Sequence, residues 1–335
     1  MGVRAIFSTK KAAVPRYSVT SYGRAQHHNA SSGTIITDDT MVSVIIASYG
    51  AFGTLARTLT SLAKQRPDTA FEVIVVDSSE DDRIQEIVGR FPGMRLISLS
   101  GRRYPGEARN VGVREARGDL LVFTDADCSV PNDWIVNIRA LHQEGHRIVG
   151  GTVENGNPER FFGWVYYFCK FHLWTSGESI RFVSEIPTTC LSLDREIFDR
   201  YGPFAEGCYS SDSVFQWRSS KEEGDALLSP AIGVQHLNYW RVSKVLAKLY
   251  QHGRDFATNR ARESQWSQLR ALIYALGTGV LPVLLFGKIA RNILRQRRHS
   301  LRFLLMTPFV FLGLTTWSLG EAVGYLRFVR LRNGS

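Results

Sequence analysis

Two carboxylates one residue apart, Asp125 and Asp127 in Phe123-Thr124-Asp125-Ala126-Asp127, are the residues whose type and spacing most directly suggest chemistry. They follow an apolar run, Leu120 to Thr124, and precede Pro131, which is expected to open the next helix. Carboxylates so spaced on a strand-end turn can converge on one hard divalent cation, Mg²⁺ or Mn²⁺. Water and diphosphate oxygens would then complete the octahedron. Asp-x-Asp by itself is a weak pattern, and capping or turn formation is its default role. Its place after a strand gives it weight.

That strand belongs to a regular series. Val42 to Ala47 is a β-branched run broken by Ser48-Tyr49-Gly50, and Leu55, Leu59 and Leu62 then recur at helical spacing. Phe71 to Val76 predicts a second strand ending at Asp77, Asp81 to Arg90 a helix, and Met94 to Leu99 a third strand. Pro105 opens a helix with Ala108, Val111, Gly112 and Ala116 on one face and Gly118 as its stop. The alternation predicts an α/β nucleotide-binding open sheet, parallel and covered on both faces. Such sheets bind ligands at the carboxyl ends of their strands. Three polar clusters fall there: Ser48-Tyr49, Asp77-Ser78-Ser79 and Asp125-Ala126-Asp127.

From Val42 to His236 these residues resemble the family 2 glycosyltransferases, inverting enzymes of the GT-A fold. Val42–Tyr49 looks like the family's opening strand and nucleotide-contacting turn. The closest match is Ala108-Arg109-Asn110-Val111-Gly112, continuing through Ala116-Arg117-Gly118-Asp119 to Asp125-Ala126-Asp127. The resemblance implies a nucleotide-sugar site built from Ser48, Tyr49, Asp77 (toward the base), Arg109, Asn110 and Asp125 (near ribose and diphosphate). It implies a metal held by Asp127, with His236 as a further ligand. The second half diverges. Where relatives place Glu-Asp at the start of a helix, this chain has Ser211-Asp212.

Chemistry supports Asp212 independently. A hydroxyl attacking an anomeric carbon needs a carboxylate within reach to take its proton, which contributes about 10²–10⁴-fold. The alternative for Asp212 is capping of a helix over Ser213–Glu223. Arg218 is expected to be solvated, or else to pair with the diphosphate or with Asp212. Gln216-Trp217-Arg218 has the wrong order and spacing for the signature of processive polysaccharide synthases.

The formal net charge of +10 is unevenly spread. Residues 241–335 hold 16 basic and 3 acidic residues, whereas 41–240 hold 20 and 26. A mildly acidic body with a basic tail argues against nucleic acid as a partner and for an anionic membrane surface. Four cysteines without metal-finger spacing fit a reduced, cytosolic body, as small apolar residues. Residues 1–40 read as a mobile leader, 41–240 as the transferase domain and 241–335 as a basic helical region. That region has two uncharged segments, 271–287 and 303–320, near the lower limit for spanning a bilayer. Between them stand six positive charges from Lys288 to Arg302. With a cytosolic catalytic body, two crossings would put those charges outside, against the positive-inside rule. A re-entrant or interfacial arrangement keeps them at the inner leaflet.

The sequence thus points to sugar transfer from a nucleoside diphosphate donor to a glycan or lipid-linked acceptor, in cell-envelope synthesis. Two other readings stand beside it. One is a nucleotidyltransferase, for which Gly50-Ala51-Phe52-Gly53 is a poor phosphate loop. The other is an inactive or lipid-binding protein that keeps the fold.

Overall fold

The computed structural model describes residues 35–66, 69–175, 179–239 and 241–333, which form one compact unit. Most of the expected leader therefore lies outside the described residues. β1 (Val42–Ser48), α1 (Leu55–Leu62), β2 (Phe71–Asp77), α2 (Asp82–Gly89), β3 (Met94–Ser98), α3 (Pro105–Glu115) and β4 (Leu120–Asp125) alternate as the apolar pattern predicts. The body continues through β5 (Cys128–Ser129), α4 (Trp134–Gln143), β6 (Ile148–Asn155), α5 (Phe161–Phe171) and β7 (Arg181–Val183). It is completed by β8 (Cys190–Asp194), α6 (Arg195–Tyr201), α7 (Ser211–Glu223) and β9 (Ala226–His236). Then come α8 (Val242–Glu263), α9 (Gln268–Gly277), α10 (Leu281–Gln296) and α11 (Ser300–Asn333).

The strands form one sheet in the order β3-β2-β1-β4-β8-β6-β9-β5, with β7 also on β9. The first four are parallel, but β8 runs antiparallel to both β4 and β6. The sheet is mixed rather than parallel, which corrects the sequence expectation. Apolar runs report burial, not strand direction, and the β/α alternation behind the expectation stops at β4. Parallel register then does the positioning. Ser48 lies opposite Asp77, and Ala47 opposite Asp125, so three strand ends present their polar residues at one level. Helix α3 lies close over this sheet because Gly112 has no side chain. A Cβ there would come within 2.4 Å of Ile45 Cγ2.

The C-terminal helices pack on the body. α11 lies along α8, where Cβ atoms on Gly320 and Gly324 would meet the carbonyl oxygens of Tyr250 and Arg254 at 2.2 Å. Its first half rests on α5, with the Phe309 ring edge-on to Phe162. Phe303, Met306, Val310 and Leu314 consequently join the same apolar core as Val42, Val44 and Ile46 of β1.

Among the described residues, α11 is one helix long and apolar enough to cross a membrane, a test that core helices also pass. The other expected segment, 271–287, is divided between α9 and α10, which meet at a 67° bend. The bend precedes Pro282, which stands in the first turn of α10, where its missing N–H costs nothing.

Candidate functional site

Four ligand-type groups converge where β4, β5 and β9 meet. One ligand atom from each of Asp125, Asp127, Cys128 and His236 lies within 4.8 Å of the others. Pairing of β5 with β9 sets Cys128 opposite His236, and β6 flanks it with Asn155. His236 is itself the last residue of β9.

The two aspartates differ in what holds them. Asp125 accepts from Arg109 Nη2 at 2.7 Å and from Thr189 Oγ1 at 2.8 Å, so both oxygens are engaged. Burial works against its charge, but the Arg109 guanidinium, aided by His236 and Thr189, holds its carboxyl below the usual range. Asp127 Oδ1 is buried with no donor from another described residue, 3.4 Å from His236 Nε2. Burial raises its carboxyl above the ordinary range, against the pull of His236 and with the repulsion of Asp125.

His236 is oriented from behind. Asn238 gives its Nδ2 to Asn155 Oδ1 at 2.9 Å and keeps Oδ1 for His236 Nδ1 at 3.1 Å. That arrangement assigns the imidazole proton to Nδ1 and leaves the Nε2 lone pair toward Asp127. An orphaned carboxylate oxygen beside a free imidazole nitrogen is a donor set that fits a divalent cation. Cys128 was expected to be an isolated apolar thiol. It is part of this cluster, but burial pushes its thiol up well above its usual range, so it stays protonated.

The donor-side residues are partly assembled. Ser48 is buried with its hydroxyl unpartnered, and Tyr49 stands exposed under the Arg102 guanidinium, 4.7 Å from its ring centre. Both Asp77 oxygens accept from Ser79, through its amide and its hydroxyl, each at 2.8 Å. Asn110 is not brought to the group. Its carboxamide is committed to Phe204, through both backbone N–H and carbonyl, and to Glu206. It ties α3 to the loop before α7.

Sequence reasoning missed a cationic pair. Arg102 and Lys248 each donate to the phenol oxygen of Tyr209, both at 2.9 Å. Lys248 comes from α8, and its charge slightly offsets the burial that raises the Asp127 carboxyl. Its residue type gave no signal, since α8 lies outside the matched motifs.

Asp212 stands in the first turn of α7, which begins at Ser211 with Ser210 as its N-cap, not at Ser213 as expected. It is therefore not the cap. Asp212 Oδ1 accepts from Ser213 N at 3.0 Å, and Thr188 N lies 3.5 Å from Oδ2. The neighbouring Thr189 bonds Asp125, so two successive residues link the acidic cluster to Asp212. Glu185, also missed, lies nearby but is held by Ser213 Oγ and Trp217 Nε1, both at 2.9 Å. Arg218 pairs with Glu263 at 2.7 Å rather than with Asp212 or solvent.

Comparison with known proteins gives the same outline. Residues 43–201 match the family described as glycosyl transferase family 2. The chain is similar to the glycosyltransferase AglE of Haloferax volcanii, 27% identical over 56% of this chain and 63% of that protein. It is also similar to human polypeptide N-acetylgalactosaminyltransferase 12, 36% identical over 49% of this chain and 33% of that protein. The chain thus spans less than two thirds of either relative. Among solved structures, the mannosyltransferase PcManGT of Pyrobaculum calidifontis, in complex with GDP-Man and Mn²⁺, is 19% identical. The likeness covers 87% of this chain and 86% of that one, at a TM-score of 0.54. It shows a shared fold, the mixed open sheet of the GT-A class.

Proposed function

We propose that this chain, whose residues 43–201 match glycosyl transferase family 2, transfers a sugar from a nucleoside diphosphate to an acceptor hydroxyl with inversion. The observation that carries the reading is the alignment of Ser48, Asp77 and Asp125 on adjacent strand ends, with Asp127 and His236 beside them. A divalent cation held by Asp127 and His236 would supply Lewis-acid stabilisation of the charge that develops on the leaving diphosphate. Arg109 holds Asp125 in place, and Arg102 and Lys248 are available to the diphosphate oxygens as Tyr209 releases them.

Asp212 is the base. As the acceptor oxygen bonds to the anomeric carbon, the bond from that carbon to the diphosphate breaks. The diphosphate keeps the electron pair, and the hydroxyl proton passes to Asp212. Glu185 is the less suitable carboxylate because two side chains, Ser213 and Trp217, already donate to it at 2.9 Å, whereas Asp212 accepts only from backbone. One base without a carboxylate nucleophile suits a single displacement.

The chain works at the inner leaflet, in the synthesis of cell-envelope polysaccharide or glycolipid. α9, α10 and α11 expose Ile273, Leu276, Val283, Leu284, Leu304 and Leu305 beside the basic run from Lys288 to Arg302. α11 is clamped to α8, which carries Lys244, Lys248, Arg254, Asp255, Arg260 and Arg262. Crossing the bilayer in that embrace would take those charges into hydrocarbon, so the helices lie in the interface. The test of the transferase reading is thermal stabilisation by UDP, GDP, CDP and dTDP, each with and without Mn²⁺. A metal-dependent rise with at least one nucleotide is expected, and no response to any of them would overturn it.

A further inference from the structure

A cavity of about 520 Å³ lies where the body meets the C-terminal helices, and Asp212 is on its wall. It is a different space from the acidic cluster, whose four members are not among its lining residues. One side is apolar and comes from α10 and α11, through Leu285, Ile289 and Leu314. Another side is cationic. Lys170 at the end of α5 and Lys288 on α10 line it, and among the described residues neither has a carboxylate partner. Two imidazoles line the same cavity, those of buried His172 and half-buried His252.

The carboxylates of the cavity are accounted for. Glu185 is bonded by the Trp217 indole, and Glu321 by the Trp317 indole at 2.6 Å. Asp212 accepts from backbone alone, Ser213 N at 3.0 Å and Thr188 N at 3.5 Å, and is left as the carboxylate without a side-chain donor among the described residues. A neutral sugar would find no use for two unpaired ammonium groups, and a simple anion none for the apolar wall. A ligand carrying both an anionic group and a hydrocarbon chain satisfies both.

We infer that this cavity is the acceptor site and that the acceptor is an anionic amphiphile, a phosphate-bearing lipid. Its phosphate is held by Lys170 and Lys288, its chain lies against α10 and α11, and its hydroxyl is presented to Asp212. The identity of the cavity as an acceptor site rests on the transferase reading; its preference for an anionic amphiphile does not. The same two helices face the membrane with their outer surfaces, so the acceptor has a short route from lipid to site.

The test is calorimetric, on the full chain, with decyl phosphate below its micelle concentration as probe. Decanol and inorganic phosphate serve as controls, and UDP or GDP with Mn²⁺ reports the donor site separately. Decyl phosphate should bind at least tenfold more tightly than either control and without displacing the nucleotide. Leu285→Trp, which fills the apolar side, and the pair Lys170→Ala with Lys288→Ala should each weaken it about tenfold and leave nucleotide binding unchanged. Equal binding of decanol, competition with the nucleotide, or indifference to these variants would overturn the inference. Failure of every nucleotide to bind would sink the transferase reading instead, while the probe series still decides what the cavity holds.

Discussion

The ammonium group of Lys248 stands 2.9 Å from the phenol oxygen of Tyr209 and 4.0 Å from the centre of its ring. Lys248 belongs to α8, beyond the 43–201 match, and Tyr209 to the loop before α7. A C-terminal helix thus places a positive charge beside the candidate donor site. The Tyr209 amide is in turn held by Asp255 of the same helix, at 3.1 Å.

If Lys248 and Arg102 receive the diphosphate, Lys248→Ala weakens nucleoside diphosphate binding about tenfold, the scale of one charge-assisted contact. The salt dependence of binding should fall with it. Titrations at low and high ionic strength check this, and unchanged affinity at both removes Lys248 from the site.

Asp212→Asn should retain nucleotide affinity and lose about 10²-fold or more in turnover. Glu185→Gln is the companion variant. A larger loss there than at Asp212 would transfer the role of base to Glu185.

Metal binding should depend on Asp127 most and on Asn238 indirectly. Asp127→Ala is expected to abolish the Mn²⁺ requirement of donor binding together with most of the affinity. Asn238→Leu, which frees the His236 ring, should cost about 10–100-fold in Mn²⁺ affinity. The readout is Mn²⁺ electron paramagnetic resonance, and an unaffected Asn238 variant would mean that His236 is not a ligand.

Stability should fall on mild acidification. Burial, and then the charge of Lys288, lower the His172 imidazole from its usual 6.5 to about 4. Between those values the unfolded chain binds a proton that the native state refuses, so stability is full above about 6.5 and is lost as pH falls toward 4. The loss from this residue is on the order of 3 kcal/mol. His252, lowered by burial and by Lys170 and Lys248, acts in the same direction. Urea melts of the wild type and of His172→Gln from pH 7 to 4 should show a shallower slope for the variant.

Interfacial binding predicts that Leu284→Glu with Leu305→Glu reduces sedimentation with anionic vesicles, with little change in melting temperature, because both residues are exposed. A cysteine at position 295 should resist impermeant thiol reagents in intact cells. Labelling there would show a bilayer crossing.

The strand ends were legible because the parallel half of the sheet, β3-β2-β1-β4, collects them. Ser48, Asp77 and Asp125 each follow an apolar run, and register does the rest. His236 was reached only through resemblance to a family, since a lone histidine after a strand has no spacing signal. Asn110 shows the reverse failure: it lies next to Arg109 in sequence, but on a helix adjacent residues face different ways. Cys128, Glu185, Lys248 and the cavity come from contacts between distant segments, for which a single sequence carries no periodicity. The antiparallel β8 escaped because its apolar run reads the same in either direction.

A single core that includes both β1 and α11 also dictates when the protein can finish folding. During synthesis the first strand leaves the ribosome long before Phe303 and Leu314 exist, and must wait with part of its packing surface uncovered. A version truncated after β9 would leave that wait permanent, exposing the α5 aromatics that α11 covers and discarding Lys248. The sheet-bearing body and the C-terminal helices are therefore a single folding event, completed from the carboxyl end.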